Sequence, residues 1–203
     1  MSKITKLVNP KTHSYFRLKE HVLSYDILWN YDNCVVDDKD TKNIEDKEKY
    51  VNIGVYGHAV VGRPMTYDKD HPVETYDRNA GLTPVIVDWR LLNEYINPFL
   101  YDLVCKNPSK EEFYIRSILR INLNATHNDI SGTIFPHFDH PPDRLPHKNM
   151  LVYFTDAGGD TIVGDEHHTP EEDDIIVFDS EVMHCHHTPT NNKRRVVMVM
   201  TFI

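Results

Sequence analysis

The stretch GTIFPHFDH, residues 132 to 140, sets an imidazole and a carboxylate two residues apart, at His137 and Asp139. In an extended chain alternate side chains share a face, so these two project together while Phe138 turns away. One imidazole and one carboxylate make half of a metal site of the facial-triad type. There two histidines and one carboxylate hold the ion and leave positions open for substrates. A second histidine must come from elsewhere. The stretch DDIIVFDSEVMHCHHTPTNNKRR offers His184, His186 and His187, and His184 follows the buried-looking run IIVF by a short loop. Eleven residues after His184 stands Arg195, at the head of the last apolar run. Its planar fork suits the distal carboxylate of a dicarboxylic acid in a way a lysine does not.

These residues need a scaffold, and the pattern along the chain changes near residue 113. From there FYIRSILRINLN alternates through Ile115, Ser117, Leu119, Ile121 and Leu123. The runs TIFPHFDH, NMLVYFTD, GDTIVG, DDIIVFD and RRVVMVMTFI follow, separated by Gly, Pro and Asp-rich turns. Six or more short strands after a helical start predict a β-sandwich or barrel buttressed by helices, an α+β chain with a mainly β core. Upstream, residues 88 to 106 read as a helix. Leu91 or Leu92, Tyr95, Phe99 and Leu103 share its face, Asp88 is its cap, and Pro98 marks a kink. Residues 14 to 31 suggest a short helix or a strand–helix pair, and the charged residues 35 to 50 a solvated loop or exposed helix. VNIGVYGHAVVG and TPVIV are β-prone. The Tyr- and Asp-bearing segment from Tyr56 to Asn79, together with the polar turn after Asp139, is the candidate wall of a binding site. The expected organisation is one domain over 1–203, with 1–112 as helical and loop support and 113–203 as the core.

Composition narrows the function classes. A net charge of −9 makes a nucleic-acid backbone a poor partner, and no apolar run approaches the length of a membrane span. Three cysteines, Cys34, Cys105 and Cys185, form neither a disulfide framework nor a CxxC zinc pattern. No signal-peptide pattern opens the chain. The expectation is a cytoplasmic protein, in a host cytoplasm if the source is viral. His140, His147, His167 and His168 read as exposed turn residues, Arg194 as a surface cation, and Cys185 as a small buried filler.

In order, PHFD, LVYFTDAGGDT, PEEDDIIVFDSEVMH and NNKRR extend over roughly ninety residues. From about residue 115 to 203 the chain resembles the double-stranded β-helix core, jelly-roll or cupin-like, of the Fe(II)- and 2-oxoglutarate-dependent dioxygenases. It is most similar to the prolyl-hydroxylase-like branch, including small phage and bacterial members. The resemblance implies His137, Asp139 and His184 as iron ligands, with Arg195 pairing with the 5-carboxylate of 2-oxoglutarate. It implies Tyr153 as a hydroxyl assisting that carboxylate; Asn122 and Asn124 on the first strand are further candidates to reach the site, and the resemblance does not say which of them does. His184 is preferred to His186 and His187 because its spacing from Phe178 and Arg195 matches the family. The implied reaction takes Fe(II), 2-oxoglutarate and O2, with ascorbate as a possible reductant, hydroxylates a C–H bond and releases succinate and CO2. A prolyl residue of a peptide or protein is the first expected substrate, and a free amino acid or other small molecule the next. The presence of Asp139 points to hydroxylation, since halogenating relatives lack that carboxylate. A cupin-like metal-binding protein without oxygenase activity is the competing reading, and Arg195 is the feature it does not require. Two departures stand out: EEDD replaces the usual glycine turn before the IIVF strand, and the first 110 residues match only loosely.

Overall fold

Residues 195 to 202 read RVVMVMTF, an apolar run without polar alternation, and such a run is stable as a strand only when both faces are covered. The computed structural model, which describes residues 3–32, 44–62, 85–108, 113–139, 146–191 and 194–203, shows what covers them. This run is β13 (Arg195–Phe202), buried along its whole length. It lies inside an eight-stranded sheet whose path is β1 (Ile4–Leu7), β11 (Ile175–Asp179), β8 (Lys148–Tyr153), β13, β6 (Ile118–Thr126), β4 (Val55–Gly62) and β2 (Asn30–Asp32). β5 (Val85–Ile86) pairs with β4 off that path.

A smaller sheet covers one face. It runs β10 (Glu166–His168), β9 (Thr161–Val163), β12 (His184–His186). Bridges Thr133↔His187 and His137↔His184 continue it to β7 (Thr133–Ile134), which pairs in parallel with β3 (Tyr50–Val51). Val163 of this sheet packs with Leu151, Tyr153, Ile176, Phe178, Val197 and Val199 of the large one. Helices cover the other face. Tyr15, Leu18 and Val22 of α1 (His13–Leu23) and Phe99 and Leu103 of α3 (Asn97–Lys106) pack on Ile121, Leu123, Met150, Val152, Met198 and Met200. Each such side chain contributes about 1.5–3 kcal/mol on burial. The architecture is a double-stranded β-helix buttressed by N-terminal helices, as the resemblance implies, and the strand pattern by itself predicts the helix-supported β core. Among the described residues, no helix is long and apolar enough to cross a membrane.

Three local details answer expectations from the sequence. The helical pattern over 88–106 is realised as α2 (Trp89–Leu91), a π-turn (Leu92–Ile96) and α3. The wide turn falls just before Pro98, whose ring cannot share a regular ladder with the preceding turn. Asp88 caps the start, its Oδ1 accepting from the Leu91 N–H at 2.8 Å, while its Oδ2 meets His58 Nε2 of β4 at 3.0 Å. The EEDD departure is explained by Asp173. It takes a left-handed φ of 73°, a conformation aspartate tolerates, and its carboxylate accepts from the Tyr15 hydroxyl at 2.6 Å and from Lys19 at 2.5 Å. An acidic residue thus makes the turn and pins α1 to it.

The N-terminal part holds what the sequence did not reveal. Residues 4–7 received no element in the sequence reading, yet β1 pairs with the free edge of β11, Ile4 opposite Phe178. Tyr56–Gly62, the start of the expected wall segment, is part of β4 and joins the main sheet against β6. Residues 63–79 of that segment, the turn at 140–145 and Cys34 lie outside the described residues.

Candidate active site

Of the three expected ligands, two are fixed to each other by main chain. His137 N–H donates to the His184 carbonyl at 2.9 Å, and His184 N–H returns a bond to the His137 carbonyl at 3.1 Å. This bridge sets the imidazoles side by side with ring centroids 4.6 Å apart. His137 Nδ1–H donates to the Phe135 carbonyl at 3.0 Å, which leaves Nε2 with its lone pair free for a metal. Asp139 Oδ2 lies 3.3 Å from His184 Nε2. One potential ligand atom from each of the three falls within 4.8 Å of the others, the only such cluster among the described residues. Two imidazoles and one carboxylate make a donor set that fits a first-row divalent cation such as Fe(II).

The electrostatics keep His137 and Asp139 in their ligating forms. Burial, reinforced by the neighbouring His184, pushes His137 down to about 4. Burial works against ionisation of Asp139, but His184 and the Arg120 guanidinium outweigh it and hold the carboxyl well below its usual range. Arg120 Nη1 donates to Asp139 Oδ1 at 3.1 Å. The alternation of β6 had placed this residue on the barrel face, but the sequence reading passed over it. An arginine flanked by Leu119 and Ile121 on a core strand was the signal that could have found it.

The cluster opens into a cavity, partly continuous with solvent, whose walls include Leu151, Val197 and Val199. Arg195 also lines it and is 6 % exposed. Its Nη2 donates to Thr161 Oγ1 at 2.9 Å, and its Nε finds no acceptor. Among the described residues no carboxylate pairs with it. Burial lowers its pKa from the ordinary arginine value, with Tyr153 opposing that shift. A buried guanidinium with an idle N–H is costly unless an anion completes it. Tyr153 lies beneath, its ring centroid 5.4 Å from the guanidinium carbon and its hydroxyl 2.7 Å from Thr161 Oγ1. Tyr153 therefore meets the cavity through Thr161, which the sequence reading quoted in its GGDT turn but gave no role.

Gly159 explains how Thr161 arrives there. Its φ is +81°, and a Cβ would come within 2.6 Å of the His187 carbonyl oxygen. In register, Thr161 pairs with His186 and Val163 with His184. The arginine end of the cavity is thus offset from the metal cluster by two residues of strand, roughly 7 Å.

The remaining candidates sort clearly. Asn124 lines the cavity; Asn122 turns to Arg120, its Oδ1 accepting from Nη2 at 2.7 Å and Nε at 3.2 Å. His186 lines the cavity, with Nδ1–H donating to the His187 carbonyl at 2.8 Å, and stands apart from the ligand cluster, as does His187. Arg194 lies over the Trp29 ring at 5.3 Å, away from the site. Cys185 is a buried wall residue whose thiol burial pushes up to about 11. Two of the expected turn histidines differ. His147 is buried beside Ser180, and His168 sits on β10 against Asp174 at 3.3 Å, because both fall where strands leave the sheet rather than in solvent loops. His167 is exposed as expected, and His140 lies outside the described residues.

No family model and no curated protein matches this sequence. Solved structures do resemble it. An oxidoreductase of the 2OG-Fe(II) oxygenase family from Burkholderia pseudomallei superposes with a TM-score of 0.63 at 12% identity, covering 98% of this chain and 85% of its own. A prolyl hydroxylase from Trichoplax adhaerens, solved with a peptide fragment of hypoxia inducible factor, gives 0.55 at 9% identity, covering 99% and 83%. The non-haem alpha ketoglutarate dependent epimerase SnoN of nogalamycin biosynthesis gives 0.51 at 9% identity, covering 99% and 77%. The fold of this chain is the fold of these three.

Proposed function

We propose that this chain is a non-haem Fe(II)- and 2-oxoglutarate-dependent dioxygenase that hydroxylates a C–H bond. One observation carries the reading: a single cavity holds a His-Asp-His cluster and, two residues of strand away, a buried arginine without an anionic partner among the described residues. His137, Asp139 and His184 would hold the iron, and Arg195 with Thr161 would hold the distal carboxylate of 2-oxoglutarate. When bound, the iron and its cosubstrate supply the oxidative decarboxylation that gives succinate and CO2 and transfers oxygen from O2 to the substrate.

The chain's own residues orient and insulate. The Phe135 carbonyl fixes the tautomer of His137, and His184 and Arg120 keep Asp139 ionised. The Arg195 Nε and the Thr161 hydroxyl present hydrogen-bonding groups to one end of a five-carbon acid. Leu151, Val197 and Val199 exclude water from that contact, which strengthens it by lowering the local dielectric. A cupin-like protein that only binds metal has no use for such an arginine.

For the substrate we favour a prolyl residue of a peptide or protein, supported by the likeness to the peptide-bound prolyl hydroxylase fold. This is analogy of fold and ranks above free amino acids on that ground alone. The test is succinate formation by the purified protein with Fe(II), 2-oxoglutarate, O2 and ascorbate as reductant, with and without proline-containing peptides. Slow succinate formation alone, accelerated by a peptide, is the expected result. No succinate from any mixture, in a protein that still binds Fe(II), would return the chain to the metal-binding class.

A further inference from the structure

Two of the three ligands are tied together by the main-chain bridge between His137 and His184. Asp139 lies beyond that bridge and outside any named strand. A carboxylate so placed has two equivalent oxygens and a soft terminal torsion. A charged contact that orients it comes from the main sheet. Arg120, on the barrel face of β6, donates from Nη1 to Oδ1 at 3.1 Å, while Oδ2 faces His184 Nε2 at 3.3 Å. The two oxygens therefore have different neighbours. Arg120 is in turn fixed by Asn122, which shares its strand face two residues on. With the Asn122 amide oriented to satisfy its surroundings, Oδ1 accepts from Nη2 at 2.7 Å and Nε at 3.2 Å, and its nitrogen donates to the Ile121 carbonyl at 3.0 Å.

A guanidinium beside a divalent cation repels it, so an arginine here works against affinity. Its geometry instead favours order: a charge-assisted bond of this kind is worth about 1.5–3 kcal/mol, enough to hold one carboxylate orientation over another. We propose that Arg120 is a positioning residue that occupies Oδ1 of Asp139, so that the carboxylate offers the metal Oδ2 alone and three positions on the ion stay open. This rests on the metal-site reading above. Loss of Arg120 lets both oxygens turn to the ion and closes one position. Asn122 serves the same end by fixing the arginine.

The test uses Mn(II) as the probe and counts exchangeable waters on the ion by water-proton relaxation, a readout independent of turnover. The unaltered protein should show three waters per bound Mn(II). Arg120→Met should show two, a fall of about one third in relaxivity per bound ion, since a facial triad leaves three positions. Arg120→Lys, which keeps one donor for Oδ1, should restore the count, and Asn122→Ala should give an intermediate value. A purely structural role would lower the melting temperature of Arg120→Met and leave the water count per ion unchanged. That unchanged count, with Mn(II) binding intact, overturns this inference alone. Failure of the unaltered protein to bind Mn(II) overturns the metal-site reading and this inference with it.

Discussion

The guanidinium carbon of Arg195 lies 5.4 Å from the ring centroid of Tyr153, and both side chains direct a polar group at the same Thr161 hydroxyl. The tyrosine supplies an aromatic floor to a buried cation, and the threonine takes hydrogen bonds that would otherwise be unmade. The assembly is satisfied on one side and has an idle Nε on the other.

That asymmetry predicts opposite effects on stability and binding. Arg195→Met removes a buried charge and fills similar volume, so the ligand-free protein should melt at the same or a higher temperature. Added 2-oxoglutarate should raise the melting point of the unaltered protein by mass action and leave the variant unmoved. The apparent KM for 2-oxoglutarate should rise roughly 10–100-fold, the worth of one charge-assisted pair, with Mn(II) affinity little changed. A variant whose cosubstrate dependence is unaltered would place the carboxylate site elsewhere.

Thr161→Val keeps the shape and removes the shared hydroxyl. Tyr153 and Arg195 Nη2 then lose their partner inside the protein, at a cost of about 1–3 kcal/mol. Thermal or urea unfolding should show that loss, and Thr161→Ser should recover most of it. Equal stability of the valine variant would mean that water reaches both groups.

Acid should weaken the metal-free protein. His137 is held at about 4 in the fold against an ordinary value of 6.5, so between those values the unfolded chain binds the extra proton and the folded one does not. Stability contributed by the neutral buried ring is complete above about 6.5 and is lost as the pH falls through about 4. Melting curves at pH 7, 6, 5 and 4.5 should decline by several degrees, and His137→Gln should flatten that decline. A slope unchanged by the substitution would assign the acid sensitivity to other groups.

The His-Asp-His cluster was legible because its members follow the simple parity of extended chain. His137 and Asp139 are two apart, and His184 opens a three-residue strand. The apolar runs gave the sheet for the same reason. Arg120 was missed although parity placed it inside, because its meaning depends on a partner nineteen residues away, beyond the strand pattern. β1 was missed because ITKL is too short and too mixed to read as a strand; it exists only because β11 offers an edge. Asp173 shows the reverse case, where a departure from a glycine turn became intelligible through Tyr15 and Lys19, residues more than 150 positions away.

The double coverage of β13 bears on how such a chain diversifies. Val197 and Val199 face the cavity while Val196, Met198 and Met200 face the helices. Each of these positions asks for volume and apolarity, a demand that many side-chain combinations meet. Only a handful of side chains, among them Arg195, Thr161, Arg120, His137, Asp139 and His184, are tied to a particular atom. Genetic drift can therefore rewrite most letters of this strand without altering its path. What such a chain must hold constant is the three-dimensional spacing of those few atoms, not the letters between them.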